Sequence, residues 1–131
     1  MINNVNEASM LLDTNMLLAA VQFKADIFAK NSFTLSSCID ELKKLSKGKS
    51  KDVTHKRRSR LSTDAKLMLE LLKKNKIPVS ATAKKGDAAI IDYATKRGCA
   101  VATNDKELIE KLKQRKVKVY RLRQKKMLVE A

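Results

Sequence analysis

The chain has 131 residues, enough for one compact domain with a single core and too few for two ordinary ones. Hydrophobic residues make up 44% and charged residues 33%, a balance that places a core beneath a heavily charged surface and excludes a disordered basic tail. Lys and Arg number 29 against 14 Asp and Glu, and the formal net charge of +15 attracts polyanions over long range.

The first residues, MINNVNEA, lack a basic segment followed by an apolar one. They do not read as a secretory signal, and a cytoplasmic protein is expected. Ala8 to Leu12 (ASMLL) is a short apolar run that stops at Asp13-Thr14-Asn15, as a buried strand does on leaving a sheet. Met16 to Lys30 reads as one or two helices. The longest apolar stretch, Met16 to Val21, is far shorter than the roughly 20 residues that cross a bilayer, so no membrane insertion is expected. Ser32 to Leu35 is a second strand, and a helix from Ser37 to Leu45 carries Cys38, Leu42 and Leu45 at helical spacing. At about 100° per residue, Glu41 flanks that stripe and is expected to be partly buried, while Asp40 faces water.

From Lys47 to Arg60 the chain is basic and structurally weak: Lys47, Lys49, Lys51, Lys56, Arg57, Arg58 and Arg60 face one acid, Asp52. Leu61, Ala65, Met68, Leu69 and Leu72 then restore a helical stripe. Ile77 to Ala81 is predicted as the third strand, with Pro78 near its start. Lys84-Lys85-Gly86 leads into a helix from Asp87 to Arg97, which Gly98 stops. Cys99 to Ala102 (CAVA) is the fourth strand and ends at Thr103-Asn104-Asp105, where Asn104 can cap the next helix and Glu107 completes a capping box. Val117 to Tyr120 is the fifth strand, and Met127 to Val129 can add a final edge segment. Cys38 and Cys99 are not at zinc-finger spacing and read as small core residues.

Strands alternating with helices imply right-handed crossovers and a largely parallel sheet covered on both faces, an α/β domain spanning residues 1–131. Ligands bind such sheets beyond the carboxyl ends of the strands. Asp13 follows the first strand and Asp105 the fourth, Asp87 opens the helix after the third, and Glu41 sits one turn into the helix after the second. Four acids can thus share one cleft. Crowded carboxylates repel, so such a site protonates or recruits a cation, and an all-oxygen site suits Mg²⁺ or Mn²⁺. The bland alternative also stands: Asp87 and Asp105 are equally favourable beside helix N-termini without any metal, and Glu41 alone is more often a helix-flank residue, whereas Asp13 closes an apolar strand and leaves the capping to Thr14 or Asn15, which favours a functional role for it. Asp92 lies about 140° around the helix from Asp87 and is left outside the site. Asp26 and Glu107 read as surface or capping residues. The single histidine, His55, sits in the basic segment, which excludes a His-pair mechanism. The second basic region, 111–126, includes Arg121, Arg123, Lys125 and Lys126. With no Trp and few aromatics, recognition of nucleic acid by backbone and shape is expected over base stacking, and composition does not choose between RNA and DNA.

The segments LLDTN (11 to 15), DELKKL (40 to 45), KGDAAIIDYA (85 to 94) and VATNDKEL (101 to 108) resemble, in order and spacing, the PIN-domain ribonucleases. Within that family, QFKADIF (22 to 28) and YRLRQKKML (120 to 128) are similar to the branch of small-subunit ribosomal RNA processing nucleases and their archaeal relatives. The resemblance implies a five-stranded parallel sheet between helices. It places the acidic metal site on Asp13, Glu41, Asp87 and Asp105, with Asn15, Thr103 and Asn104 as supporting polar residues. It implies single-stranded or locally open RNA cut by metal-activated water, leaving 5′-phosphate and 3′-hydroxyl ends. One departure is Asp87-Ala88, where that branch often has two consecutive acids. The expected function is an endoribonuclease of ribosomal RNA maturation, acting on ribosomal RNA or a pre-ribosomal particle. The alternatives are a toxin ribonuclease silenced by an antitoxin partner, and a catalytically silent RNA-binding assembly factor. The resemblance also admits a homodimer, although no stripe of exposed apolar residues marks an interface.

Overall fold

In the computed structural model of the protein, which describes residues 9–28, 31–48, 55–124 and 126–131, the short apolar runs pair side by side. Strand β1 (Met10–Leu12) lies between β2 (Ser32–Leu35) and β4 (Ala100–Ala102), parallel to both. The sheet order is β3-β2-β1-β4-β5-β6, with β3 at Val79–Ser80, β5 at Val119–Arg123 and β6 at Met127–Glu130. Strands β1 to β5 run parallel, and β6 returns antiparallel along β5, with Leu122 opposite Leu128. The helices are α1 (Thr14–Phe23), α2 (Ser36–Ser46), α3 (His55–Lys74), α4 (Gly86–Arg97) and α5 (Lys106–Gln114). None of them is long and apolar enough to cross a membrane.

Successive strand residues point to opposite faces, so each strand feeds two cores. Leu11, Val101 and Val119 pack with Ile90 of α4 and Leu108 and Leu112 of α5 on one face. Leu12, Ala102 and Leu122 pack with Met16 and Leu17 of α1 and with Ala65, Met68 and Leu72 of α3 on the other. Helices on both faces fix the α/β class, and both sides of β1 and β4 are dry. Leu12 is fully buried. Leu12→Ala is expected to cost about 2–5 kcal/mol in urea unfolding, since little around it can collapse into the space.

Several boundaries differ from the sequence expectation. The helix expected to reach Lys30 ends at Phe23, because Lys24 turns left-handed (φ 53°) and its N–H closes on the carbonyls of Ala20 and Val21. Residues 29 and 30 lie outside the described residues. The third strand is only Val79–Ser80 rather than Ile77 to Ala81: Pro78 has no N–H to donate, and contributes its carbonyl to Thr34 N–H at 3.1 Å. The fifth strand starts at Val119, not Val117, because the Val117 N–H is spent on Leu112 O at 3.0 Å in the turn after α5. It then runs to Arg123, long enough to pair β6, so the sheet has six strands rather than five. The stretch expected to be weak up to Arg60 is already helical from His55. Cys38 and Cys99 are free, buried thiols, as expected of core residues, and burial pushes the Cys99 thiol up to about 11.

Candidate metal and active site

The chain builds outward from β1 to β2 and β3, then returns to place β4 on the other side of β1. The β1/β4 boundary is therefore the switch point of the sheet, where strand ends diverge and leave a crevice. Leu12 pairs with Ala102, so the next residues, Asp13 and Thr103, leave the sheet side by side. Asp13 N–H donates to Ala102 O at 3.4 Å. The Thr103 hydroxyl, fully buried, donates to Asp13 Oδ2 at 2.5 Å. The other carboxylate oxygen of Asp13 accepts the Met16 N–H at 2.7 Å and caps α1. The capping role open to Thr14 and Asn15 thus belongs to Asp13 itself. Only 6% of Asp13 is exposed, and burial raises its pKa to about 6. The hydrogen bonds from Thr103 and Met16 oppose that rise, and the nearby charges of Asp87 and Asp105 add to it.

The other acids differ from Asp13 in burial and in partners. Asp105 is half-buried and caps α5, accepting N–H groups from Glu107 at 3.0 Å and Leu108 at 3.3 Å. Its own N–H donates to Thr103 Oγ1 at 3.2 Å, so one threonine hydroxyl links Asp13 to the Asp105 loop. Asn104 does not cap α5 as expected. Its Oδ1 accepts Leu122 N–H at 2.9 Å, a long-range tie from the acidic loop to β5. Asp87 is exposed in the first turn of α4, and the cap of that helix, Lys85, makes no side-chain hydrogen bond. Partial burial and the Asp105 charge raise the pKa of Asp87, with Lys111 opposing and Glu107 adding.

Glu41 is exposed rather than partly buried. Its Oε1 accepts the Thr14 hydroxyl at 2.8 Å, which turns the carboxylate toward α1. From the sequence Thr14 reads only as a cap, and its position beside Asp13 in LLDTN is the signal that points to this role. Asp13, Thr14, Asn15, Glu41 and Asp87 line a cleft of about 90 Å³. Asp105 is not on its wall and reaches the cleft through Thr103 and its charge. Among the described residues, no three acids stand close enough together to hold a metal ion as they are placed. The donor set itself fits a hard divalent cation: every candidate ligand is a carboxylate, and the most buried one is held against ionisation by its burial, with the charges of Asp87 and Asp105 adding to it.

Asp92, left out of the site, is engaged elsewhere. It pairs with Lys84 at 3.1 Å and Lys96 at 3.2 Å, which hold its carboxyl below the usual range. Asp26 and Glu107 are surface residues: Asp26 accepts Phe28 N–H, and Glu107 pairs with Lys111 at 3.4 Å. Lys47, Arg60, Arg121, Arg123 and Lys126 are exposed, as polyanion contacts require. Lys49, Lys51 and Lys125, and the side chains of Lys56, Arg57 and Arg58, lie outside the described residues.

The sequence matches the family model described as "PIN like domain" over residues 10–125. It is also similar to Ribonuclease VapC9 of Archaeoglobus fulgidus, with 34% identity over 119 residues, covering 83% of this chain and 78% of the relative. The match takes in β1 through β5, and with them Asp13, Glu41, Asp87 and Asp105. The chain belongs to the PIN-like domain family.

Proposed function

We propose that the chain is a divalent-metal-dependent endoribonuclease whose site is the cleft at the β1/β4 switch point. The carrying observation is Asp13, buried at the strand exit with its pKa raised to about 6 by burial and by Asp87 and Asp105. A carboxylate in that state gains most from a cation, because the ion's attraction offsets both the cost of burying the charge and the repulsion from the neighbouring acids. Asp13 and Asp105 would be the principal ligands, with Asp87 and Glu41 completing the acidic shell or positioning the water. Mg²⁺ or Mn²⁺ suits the oxygen donors, and when bound would activate a water and neutralise charge on the phosphodiester.

The protein's own groups set up that chemistry. Thr103 orients Asp13 and, through the Asp105 N–H, keeps the two principal ligands in fixed relation. Thr14 aims Glu41. Asn104 braces the loop against β5, and Asn15, exposed at the start of α1, can bond substrate or bound water. The basic residues of segments 47–60 and 121–126 would hold the RNA backbone.

For the biological setting, similarity to Ribonuclease VapC9 favours the toxin of a toxin–antitoxin pair, with a small antitoxin as partner. A role in ribosomal RNA maturation rests on QFKADIF and YRLRQKKML alone. Growth arrest on expression, relieved by a small neighbouring gene, would select the toxin setting; accumulation of a ribosomal precursor on depletion would select the other.

The activity is tested with purified protein and labelled RNA. Cleavage is expected only with Mg²⁺ or Mn²⁺, is lost in EDTA and leaves 5′-phosphates. Binding without cleavage under every condition would replace the nuclease with a silent RNA-binding scaffold.

A further inference from the structure

We propose that the amino end of the sheet, opposite the acidic cleft, carries a second RNA contact: a hollow that takes one unstacked nucleotide of a single strand, beside a basic strip for neighbouring phosphates. The hollow encloses about 430 Å³ and is built from residues at the starts of strands, among them Asn31, Ser32, Phe33, Pro78 and Cys99. That volume falls within the roughly 300–1,000 Å³ of small-ligand sites.

Three observations identify the occupant. The first is Ser32, 3% exposed, whose hydroxyl has no hydrogen-bond partner among the described residues although it lines the hollow. Buried hydroxyls are nearly always paired, so an unpaired one beside the hollow points to a polar partner that the described residues do not supply. The second is a pinned aromatic wall. Phe33 and Tyr93 lie 5.6 Å apart at 51°, and the Tyr93 hydroxyl donates to Ser80 Oγ at 3.0 Å, which fixes its ring. Arg97 places its guanidinium 5.4 Å from the Tyr93 ring centre. Bases stack on such ring faces and on guanidinium planes alike. The third is charge. Among the described residues, no carboxylate pairs with Arg97 and no acid lines the hollow. A second hollow of about 620 Å³ shares the Cys99 wall, has no acid among its described lining residues, and carries Arg115, Lys116 and Lys118. A base against Phe33 and Tyr93 would thus place its phosphate near Arg97 and its neighbours along the strip. Since β4 is three residues long, the hollow and the cleft are separated by about 10 Å of sheet, a span of a few nucleotides.

The choice of RNA over other nucleotides rests on the ribonuclease reading, but its test needs no cleavage. Anisotropy of a labelled single-stranded RNA 12-mer is measured in EDTA, so a failed nuclease assay leaves it readable. Arg97→Ala is expected to weaken binding about tenfold and to flatten the log–log salt dependence by about 0.7. Ser32→Ala should weaken binding about threefold with unchanged melting. Arg97→Lys, which keeps the charge and loses the plane, should fall between wild type and Arg97→Ala, and serves if the alanine variant fails to fold. Affinities within twofold of wild type for the Ser32 and Arg97 variants would overturn the proposal. Titration with 5′-AMP separates the two sources of a nucleotide. A Kd of about a millimolar or weaker is expected for a site reading one position of a strand. Micromolar binding that Arg97→Ala abolishes without affecting the 12-mer would assign the hollow to a free nucleotide and overturn the strand contact.

Discussion

Asp13→Asn is expected to lower cleavage at least about a thousandfold, roughly 4 kcal/mol of transition-state stabilisation, while RNA binding holds or tightens. The same change is expected to stabilise the metal-free protein. The fold raises the Asp13 carboxyl from its ordinary 3.8 to about 6, so the native chain holds the proton more tightly. Its contribution to stability is fully present below pH 3.8 and is lost as pH rises through 6. A shift of that size corresponds to about 3 kcal/mol of destabilisation at neutral pH. Asparagine removes the charge, keeps an oxygen for the Met16 N–H, and should recover about 2 kcal/mol in EDTA at pH 8, or roughly 6 °C in Tm. The gap should close as pH falls toward 4, and also when Mn²⁺ is added to wild type. A melting difference independent of both pH and metal would show that the Asp13 charge is not under the strain assigned to it.

Thr103→Val is nearly isosteric and removes one hydroxyl that makes two contacts, to Asp13 Oδ2 and from Asp105 N–H. A hydrogen bond to a buried carboxylate contributes about 1.5–3 kcal/mol, and a loss of about 2 kcal/mol is expected in urea unfolding. The hydroxyl also holds the Asp13 pKa down, so without it that pKa rises above its present value of about 6. The acid limb of the cleavage pH profile should move up by about one unit, and the metal concentration for half-maximal rate by about 10- to 100-fold. Thr103→Ser should restore both. A pH profile that does not move would make Thr103 a folding residue only.

The acids of the site were legible because of where they end apolar runs: LLD and AVATND each carry a carboxylate just past a buried strand, and parallel pairing of β1 with β4 brings those exits together. Glu41 was placed on the right helix and given the wrong burial. A helical wheel gives direction around an axis, not distance to the neighbouring element, and α2 lifts Glu41 clear of the sheet. Asn104 and Asp105 are adjacent residues with the same capping chemistry, and local sequence does not choose between them. The choice is made by Leu122 N–H, 18 residues away, which takes the Asn104 oxygen. The amino-end hollow left no trace in any motif, because its walls come from segments scattered between residues 9 and 99. Strand ends slipped for a common reason: Pro78 and Val117 are apolar enough to read as strand, yet neither has an N–H free for the ladder.

The pairing of β1 with β4 also governs when the protein can act. The bond between Asp13 and Thr103 joins residues 90 positions apart, and β1 stays open on one side until the chain reaches β4. Contacts of such long range slow folding relative to a helical protein of equal size. On the proposed assignment of Asp13 and Asp105 as principal ligands, a chain still in synthesis that has not yet passed Asp105 has no second ligand and no hydroxyl to hold the first. The order of the strands would therefore keep a nascent chain inert until most of it has been made.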